Sequence, residues 1–214
     1  MRSISRMVLS LALVIPVPGA AQVSVEVGPL LGYYRPLGSF EDASVHSTAL
    51  PRTPQDLSGH AWGGEARVWF GKRLGTELHT SVARSTIPEV ITPAGPRGPT
   101  PAQVTTLTVQ GLLTVTGAPA RDQIWISAGI GAIRHGGSAY DRYSAPPDLG
   151  PIVGAGARFG LTRQLHATVG FSTLVYMFDL PMPPELRLNP GSLERGRQVD
   201  LLVHLGIGWM VGGM

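Results

Sequence analysis

The chain has 214 residues, of which 43% are hydrophobic and 14% are charged, and its formal net charge is +3. It contains no cysteine, which excludes a disulfide framework, a lipid-anchored cysteine and thiol chemistry. The small net charge and the lack of any Lys/Arg-rich run argue against nucleic acid as a partner.

The first 21 residues have the layout of a secretory signal peptide. Arg2 and Arg6 supply the positive start, Val8–Val17 forms a short apolar run, and Gly19 and Ala21 are the small residues before a cleavage point. The apolar run is shorter than the ~20 residues of a membrane-spanning helix. We therefore expect residues 1–21 to be removed on export. Residues 22–214 are then one domain with a net charge of about +1.

Eight later segments alternate between apolar residues and polar or small ones, which is the period of two typical of β-strands. The clearest is the last, in which Val203 and Leu205 share one face while Asp200 and His204 share the other. Most reach the ~9–11 residues that a transmembrane strand needs. The eight segments cover about Val23–Tyr34, His60–Lys72, Gly75–Thr86, Gln103–Thr116, Asp122–His135, Leu149–Leu161, Leu165–Phe178 and Gln198–Val211.

The connections between these segments alternate in length. Short turns are predicted at residues 73–74, 117–121 and 162–164, and long loops at residues 36–58, 87–102, 136–148 and 179–196. Outer-membrane barrels have short periplasmic turns and long extracellular loops, and eight strands with both termini in the periplasm require this order. Prolines in the second and fourth long loops predict extended, polyproline-like or disordered segments there.

Aromatic residues lie near both ends of the predicted strands. Two aromatic girdles that flank an apolar band are typical of a barrel in a bilayer. The girdle at the long-loop end is predicted from Tyr33, Tyr34, Trp62, Tyr176 and Phe178, and the girdle at the short-turn end from Phe70, Phe159 and Trp209.

With these features the chain resembles the small eight-stranded outer-membrane barrels, the family of OmpX and the OmpA transmembrane domain. The resemblance implies an all-β fold, a closed antiparallel up-and-down eight-stranded transmembrane β-barrel in the outer membrane of a Gram-negative envelope. It also implies two partners, outer-membrane lipid and the barrel-assembly machinery. Trp209 and Val211 loosely match the assembly signal of the family, although the chain ends in Gly212-Gly213-Met214 and not in an aromatic residue.

Polar residues on the inward face are predicted to form a structural network in the lumen. Unpaired buried charge is costly, so we predict a plug centred on Arg67 and Arg158 with nearby glutamates. The predicted lumen residues are Glu26, Glu65, Arg67, Glu77, His79, Arg158, Asp200 and His204.

Glu77, His79 and Ser81 share one face of the third strand and have the residue types of an acid–base–nucleophile arrangement. Side chains two residues apart in a strand lie ~6.5–7 Å apart, too far for direct proton transfer, which needs ~2.6–3.2 Å. The six histidines lack metal-binding spacing. We therefore expect no catalytic residue, no cofactor, no metal site and no enzymatic activity.

The sequence thus predicts a small outer-membrane barrel with a structural or cell-surface interaction role. The four long loops would meet an extracellular ligand or protein. Three alternatives stay open: a narrow channel, a lipid-modifying hydrolase that uses Glu77, His79 and Ser81, and a soluble periplasmic barrel that binds a ligand.

Overall fold

The computed structural model describes residues 23–37, 58–87, 90–92, 95–117, 122–138, 146–179 and 195–211. The predicted signal peptide and the C-terminal Gly-Gly-Met lie outside these ranges. In the described ranges, no helix is long and apolar enough to cross a membrane. The strands are β1 (Val23–Pro36), β2 (Gly59–Phe70), β3 (Leu74–Ile87), β4 (Val90–Thr92), β5 (Gly95–Arg97), β6 (Thr100–Gly117), β7 (Gln123–Gly136), β8 (Asp148–Gly160), β9 (Leu165–Asp179) and β10 (Arg195–Val211).

Eight of these strands form one closed antiparallel barrel, in the order β1-β10-β9-β8-β7-β6-β3-β2. The first and last strands close it, with Leu31 opposite Leu205. This confirms the predicted fold class. A closed barrel leaves no sheet edge, so every strand finds backbone partners on both sides.

The second long connection differs from its prediction. Residues 87–102 were expected to be extended, polyproline-like or disordered, but the β3–β6 ladder continues until Ile87 faces Thr100. Between them, β4 and β5 pair as a small separate hairpin. The described residues are therefore extended, as one of the three options predicted, but they are paired as β-strands. Pairing is possible because proline removes only its own N–H donor and can still occupy a hairpin or edge position.

The alternation of faces breaks near the end of β6. The ladder between β6 and β7 shifts register between Thr114 and Thr116. A bulge of this kind adds one residue to a strand and reverses the faces beyond it. Thr116 is consequently exposed, although simple alternation placed it on the same face as Thr114.

The outer face of the barrel is a continuous apolar belt. Side chains such as Leu31, Ile130 and Leu205 are 63–70% exposed, which is unusual for large apolar residues unless something other than water covers them. Large apolar side chains at least 43% exposed include Val27, Leu78, Leu107, Val109, Leu113, Ile124, Ile126, Val153, Phe171, Val203 and Ile207.

The predicted girdles are confirmed in part. Trp62, Phe70, Phe159 and Trp209 lie outside, as does Tyr33. Tyr34 and Tyr176 were assigned to the outer girdle, but they are only 2% and 3% exposed and lie inside the barrel. Each has the inward parity of its strand, so the position in the strand, and not the aromatic character, determines where the side chain lies. The side chain of Phe178 lies outside the described residues.

Candidate functional site

The lower half of the interior, toward the short turns, is built around Arg67 on β2. Its Nε donates to Oε2 of Glu77 at 2.6 Å and one terminal nitrogen donates to Oε2 of Glu65 at 2.6 Å. A weaker contact of 3.4 Å reaches Oε1 of Glu26. The guanidinium presents its five donors in a fixed fork, so one arginine can join three carboxylates from three strands.

Arg158 on β8 extends this cluster toward the other side of the barrel. It donates to Oε2 of Glu26 at 2.8 Å, and both side chains are at most 1% exposed. Two tryptophans complete the packing. The guanidinium carbon of Arg67 lies 4.7 Å from the ring centroid of Trp125, and that of Arg158 lies 5.5 Å from Trp69. These cation–π contacts stabilise charges that water cannot reach. We call this assembly of Glu26, Glu65, Arg67, Glu77 and Arg158 the ionic plug.

A second polar group occupies the upper half, toward the long loops. Asp200 on β10 accepts hydrogen bonds from Tyr34, from Tyr176 at 2.9 Å and from Gln198 at 2.9 Å. All four side chains are at most 3% exposed. Apolar inward residues lie between the two polar groups, among them Ile133, Ile152, Leu174 and Leu202.

The structure places all eight residues of the predicted lumen network inside the barrel. Their side chains are between 0% and 5% exposed. Seven lie around the ionic plug, whereas Asp200 belongs to the separate upper group. Five other side chains were not assigned to the lumen from sequence, namely Trp69, Trp125, Tyr34, Tyr176 and Gln198. Their parity within each strand is the signal that could have found them.

The three residues of the hydrolase alternative do not form a relay in this structure. The hydroxyl of Ser81 bonds to Thr106 at 2.7 Å, and Nε2 of His79 has no hydrogen-bond partner among the described residues. Nδ1 of His79 lies 4.0 Å from Oε1 of Glu77, which is longer than a hydrogen bond. His79 instead packs edge-on against His204, with ring centroids 5.2 Å apart.

Inward glycines make room for these large side chains. A Cβ on Gly208 would lie 2.2 Å from Oε1 of Glu26, and a Cβ on Gly156 would lie 2.5 Å from Trp125. These positions therefore need glycine because a side chain there would collide with Glu26 or Trp125. In an eight-stranded barrel the lumen is only wide enough for side chains, so a larger residue at one position needs a small one nearby.

Two solved structures are similar over nearly their whole length. The outer membrane protein OprG from Pseudomonas aeruginosa has a TM-score of 0.57 at 12% identity, and the match covers 91% of this chain and 99% of that one. Neisserial surface protein A has a TM-score of 0.55 at 9% identity, covering 89% and 98%. This chain has the fold of the small eight-stranded outer-membrane barrels. No protein-family model and no curated protein sequence matches it.

At 12% and 9% sequence identity, these similarities show the fold alone. A general outer-membrane barrel agrees with this fold and with the apolar belt, because lipid is the environment that such a belt fits. The narrower likeness to OmpX stays a prediction.

Proposed function

We propose that this protein is an outer-membrane barrel that does not conduct ions and that acts as a structural or surface-interaction protein. It would be exported with a cleaved signal peptide and inserted by the barrel-assembly machinery. The proposal includes no enzymatic activity. Its loops at residues 36–58, 87–102, 136–148 and 179–196 would face the outside of the cell, where they could meet a ligand or protein.

The ionic plug is the observation that carries this proposal. Five charged side chains from four strands meet in the lower lumen, and each is at most 5% exposed. Trp69, Leu112 and Trp125 pack together as an apolar cluster beside them. A barrel of eight strands has an interior just wide enough for side chains to fill. The plug therefore supports a closed lumen and makes the channel alternative the weaker one.

The placement of the connections supports the proposed orientation. Strands β2, β6 and β8 end at the same end of the barrel as the start of β1 and the end of β10. Each is followed within a few residues by the next barrel strand, β3, β7 and β9 respectively. Gly71 has a φ of 69°, a left-handed conformation that suits the tight turn between β2 and β3. Barrels of this class keep short turns in the periplasm, which puts the longer connections outside.

Single-channel recording in planar bilayers tests the closed lumen. The purified barrel is expected to give no steady unitary current. A double variant, E26A with R158A, is the matched control, because it removes one carboxylate and one guanidinium together and opens space inside the plug. Current from this variant with none from the native protein would support the proposal. Steady unitary current from the native protein would overturn it in favour of a channel.

Location needs a separate measurement. Membrane fractionation combined with heat-modifiable mobility on gels should place the mature protein in the outer membrane, with residues 1–21 missing from its N-terminus by mass spectrometry. Recovery of a folded protein from the soluble periplasm would favour the ligand-binding alternative. Accessibility of residues 36–58 to a protease added to intact cells would then test the proposed orientation.

A further inference from the structure

Three interior side chains from three strands converge at the ionic plug, to which one of them belongs. They are Glu65 on β2, His79 on β3 and His204 on β10, and one ligand-type atom from each lies within 4.8 Å of the other two. Nε2 of His204 is 3.8 Å from Oε2 of Glu65. Glu65 and His79 are direct cross-strand partners, while His204 reaches them from the far side of β1.

The two histidines have unused polar atoms. Nε2 of His79 and both ring nitrogens of His204 lack hydrogen-bond partners in the described part of the chain, although the residues are only 2% and 5% exposed. Buried polar atoms are nearly always paired, so each such atom calls for an explanation. Nitrogen atoms of neutral imidazoles are also the commonest protein ligands for transition metals.

The charge around this cluster favours an added cation. In the ionic plug three carboxylates face two guanidinium groups, and the histidines are the nearest further groups that could carry charge. With all three carboxylates ionised and the histidines neutral, the described plug carries one negative charge in excess. Low-dielectric surroundings make such an excess expensive, and a bound cation would compensate it.

Neighbouring groups already contact two of the three side chains, Glu65 and His79. Glu65 accepts from Arg67 at 2.6 Å and from Thr168 at 3.1 Å, and its carboxylate has lone pairs left for another partner. Nδ1 of His79 faces the Glu77 carboxylate 4.0 Å away, so a small ring rotation would give the carboxylate–histidine pair common behind metal ligands.

Glycines leave space for the cluster. A Cβ on Gly170 would lie 2.7 Å from Cε1 and Nε2 of His204, and a Cβ on Gly206 would lie 3.0 Å from Oε1 of Glu65. One small cavity is lined by His79 and another by His204. The rings therefore have room to move from the present spacing of up to 4.8 Å toward that of a coordination sphere, whose tetrahedral ligands lie about 3.3 Å apart.

We propose that Glu65, His79 and His204 form a binding site for one borderline divalent transition-metal ion, with Zn²⁺ as the probe. Two imidazole nitrogens and one carboxylate oxygen are a ligand set that Zn²⁺ accepts, with a fourth position open to water. Hard ions such as Mg²⁺ and Ca²⁺ prefer all-oxygen sites and fit this set poorly. Sequence spacing predicted no metal site here, because the three residues come together only through barrel closure.

The test is a Zn²⁺ titration of untagged, chelator-treated barrel in detergent, in competition with a chromophoric chelator. The native protein is expected to bind one ion per barrel. Variants H79Q and H204Q should each weaken binding at least about tenfold. Co²⁺ provides a second readout, since its visible absorption reports tetrahedral nitrogen and oxygen ligation and should be lost in both variants. Heat-modifiable mobility shows that each variant is folded.

His166 provides the matched control. It is 0% exposed, and both of its ring nitrogens lack partners among the described residues, but it is not part of the cluster. H166Q should bind Zn²⁺ like the native protein. Gly170→Ala should weaken binding by displacing His204 while leaving every ligand residue unchanged. The proposal is overturned if the native barrel does not bind Zn²⁺ stoichiometrically, or if H79Q and H204Q bind Zn²⁺ as tightly as the native barrel. It is also overturned if H166Q loses as much affinity for Zn²⁺ as H79Q and H204Q do.

Discussion

Arg158 on β8 donates a 2.8 Å hydrogen bond to Glu26 on β1, with β9 and β10 between these two strands around the barrel. The bond therefore crosses the lumen and ties strands that share no ladder. Glu26 also contacts Arg67, so removal of one partner affects the whole ionic plug. A cross-lumen contact of this kind forms only once the sheet has closed.

Replacing Arg158 by methionine should destabilise the barrel strongly. Methionine keeps much of the volume, but it leaves the buried Glu26 carboxylate without its main partner. Breaking one side of a buried pair costs about 3–5 kcal/mol. Urea unfolding of the barrel in lipid vesicles, followed by tryptophan fluorescence, would measure this loss.

The matched control for this variant is R163Q, since Arg163 lies exposed in the turn between β8 and β9. Its free energy of unfolding should change by less than about 0.5 kcal/mol. The double variant E26Q with R158M should lose less than the sum of the two single variants, because the net charge of the plug stays the same as in the native protein. Strict additivity would contradict a direct pairing.

Leu205 offers a test of what covers the outer face. It is 63% exposed near the middle of β10. In a bilayer, Leu205→Arg should cost about 2–4 kcal/mol, whereas Leu161→Arg beyond the end of β8 should cost about 0–1 kcal/mol. The measurement is again unfolding from lipid vesicles. If both variants were as stable as the native protein, the belt would be facing water and the barrel would be a soluble one.

The faces of the strands could be predicted from sequence because a period of two needs only local information. Glu26, Arg67 and Arg158 lie inside where alternation put them. The errors have local physical causes as well. Tyr34 was assigned by its aromatic character when its parity already pointed inward. At Thr116 parity alone would mislead, because a bulge reverses the faces there.

The composition of the interior clusters could not be predicted in the same way. Glu65 and His204 are 139 positions apart in sequence, and Nε2 of His204 comes to 3.8 Å from the Glu65 carboxylate only through the register of β10, β1 and β2. Pattern reasoning gives the face of each residue but not its height relative to other strands. Height depends on the shear of the closed barrel, which is a property of all eight strands together.

The upper polar group predicts different effects for two adjacent tyrosines. Tyr34 lies inside and donates its hydroxyl to Asp200, whereas Tyr33 is 46% exposed on the outer face. Tyr34→Phe should lower the free energy of unfolding by about 1.5–3 kcal/mol, because a buried carboxylate loses a donor. Tyr33→Phe should leave it nearly unchanged. A larger loss of stability for Tyr33→Phe than for Tyr34→Phe would contradict the assignment of Tyr34 as the donor to Asp200.

Two glycines can show whether inward glycines stabilise the barrel by leaving space for large side chains or by their backbone freedom. Gly156 lies opposite Trp125, and an added Cβ would come within 2.5 Å of Cζ2 and 2.8 Å of Cε2 of that ring. Trp125 also packs against Trp69 and under Arg67, so its ring has little room to move. Gly156→Ala should therefore destabilise the barrel by about 1–3 kcal/mol through overpacking.

Gly111 on β6 is the counterpart, because it points outward and a Cβ there would meet only the Ala128 carbonyl oxygen at 3.8 Å. Gly111→Ala should be neutral, or stabilising by about 0.4–1 kcal/mol through the loss of backbone freedom in the unfolded chain. Near-ultraviolet circular dichroism of Gly156→Ala should also change, since the packing of Trp125 is disturbed. Equal stability changes in the two variants would mean that interior volume is not what these inward glycines provide.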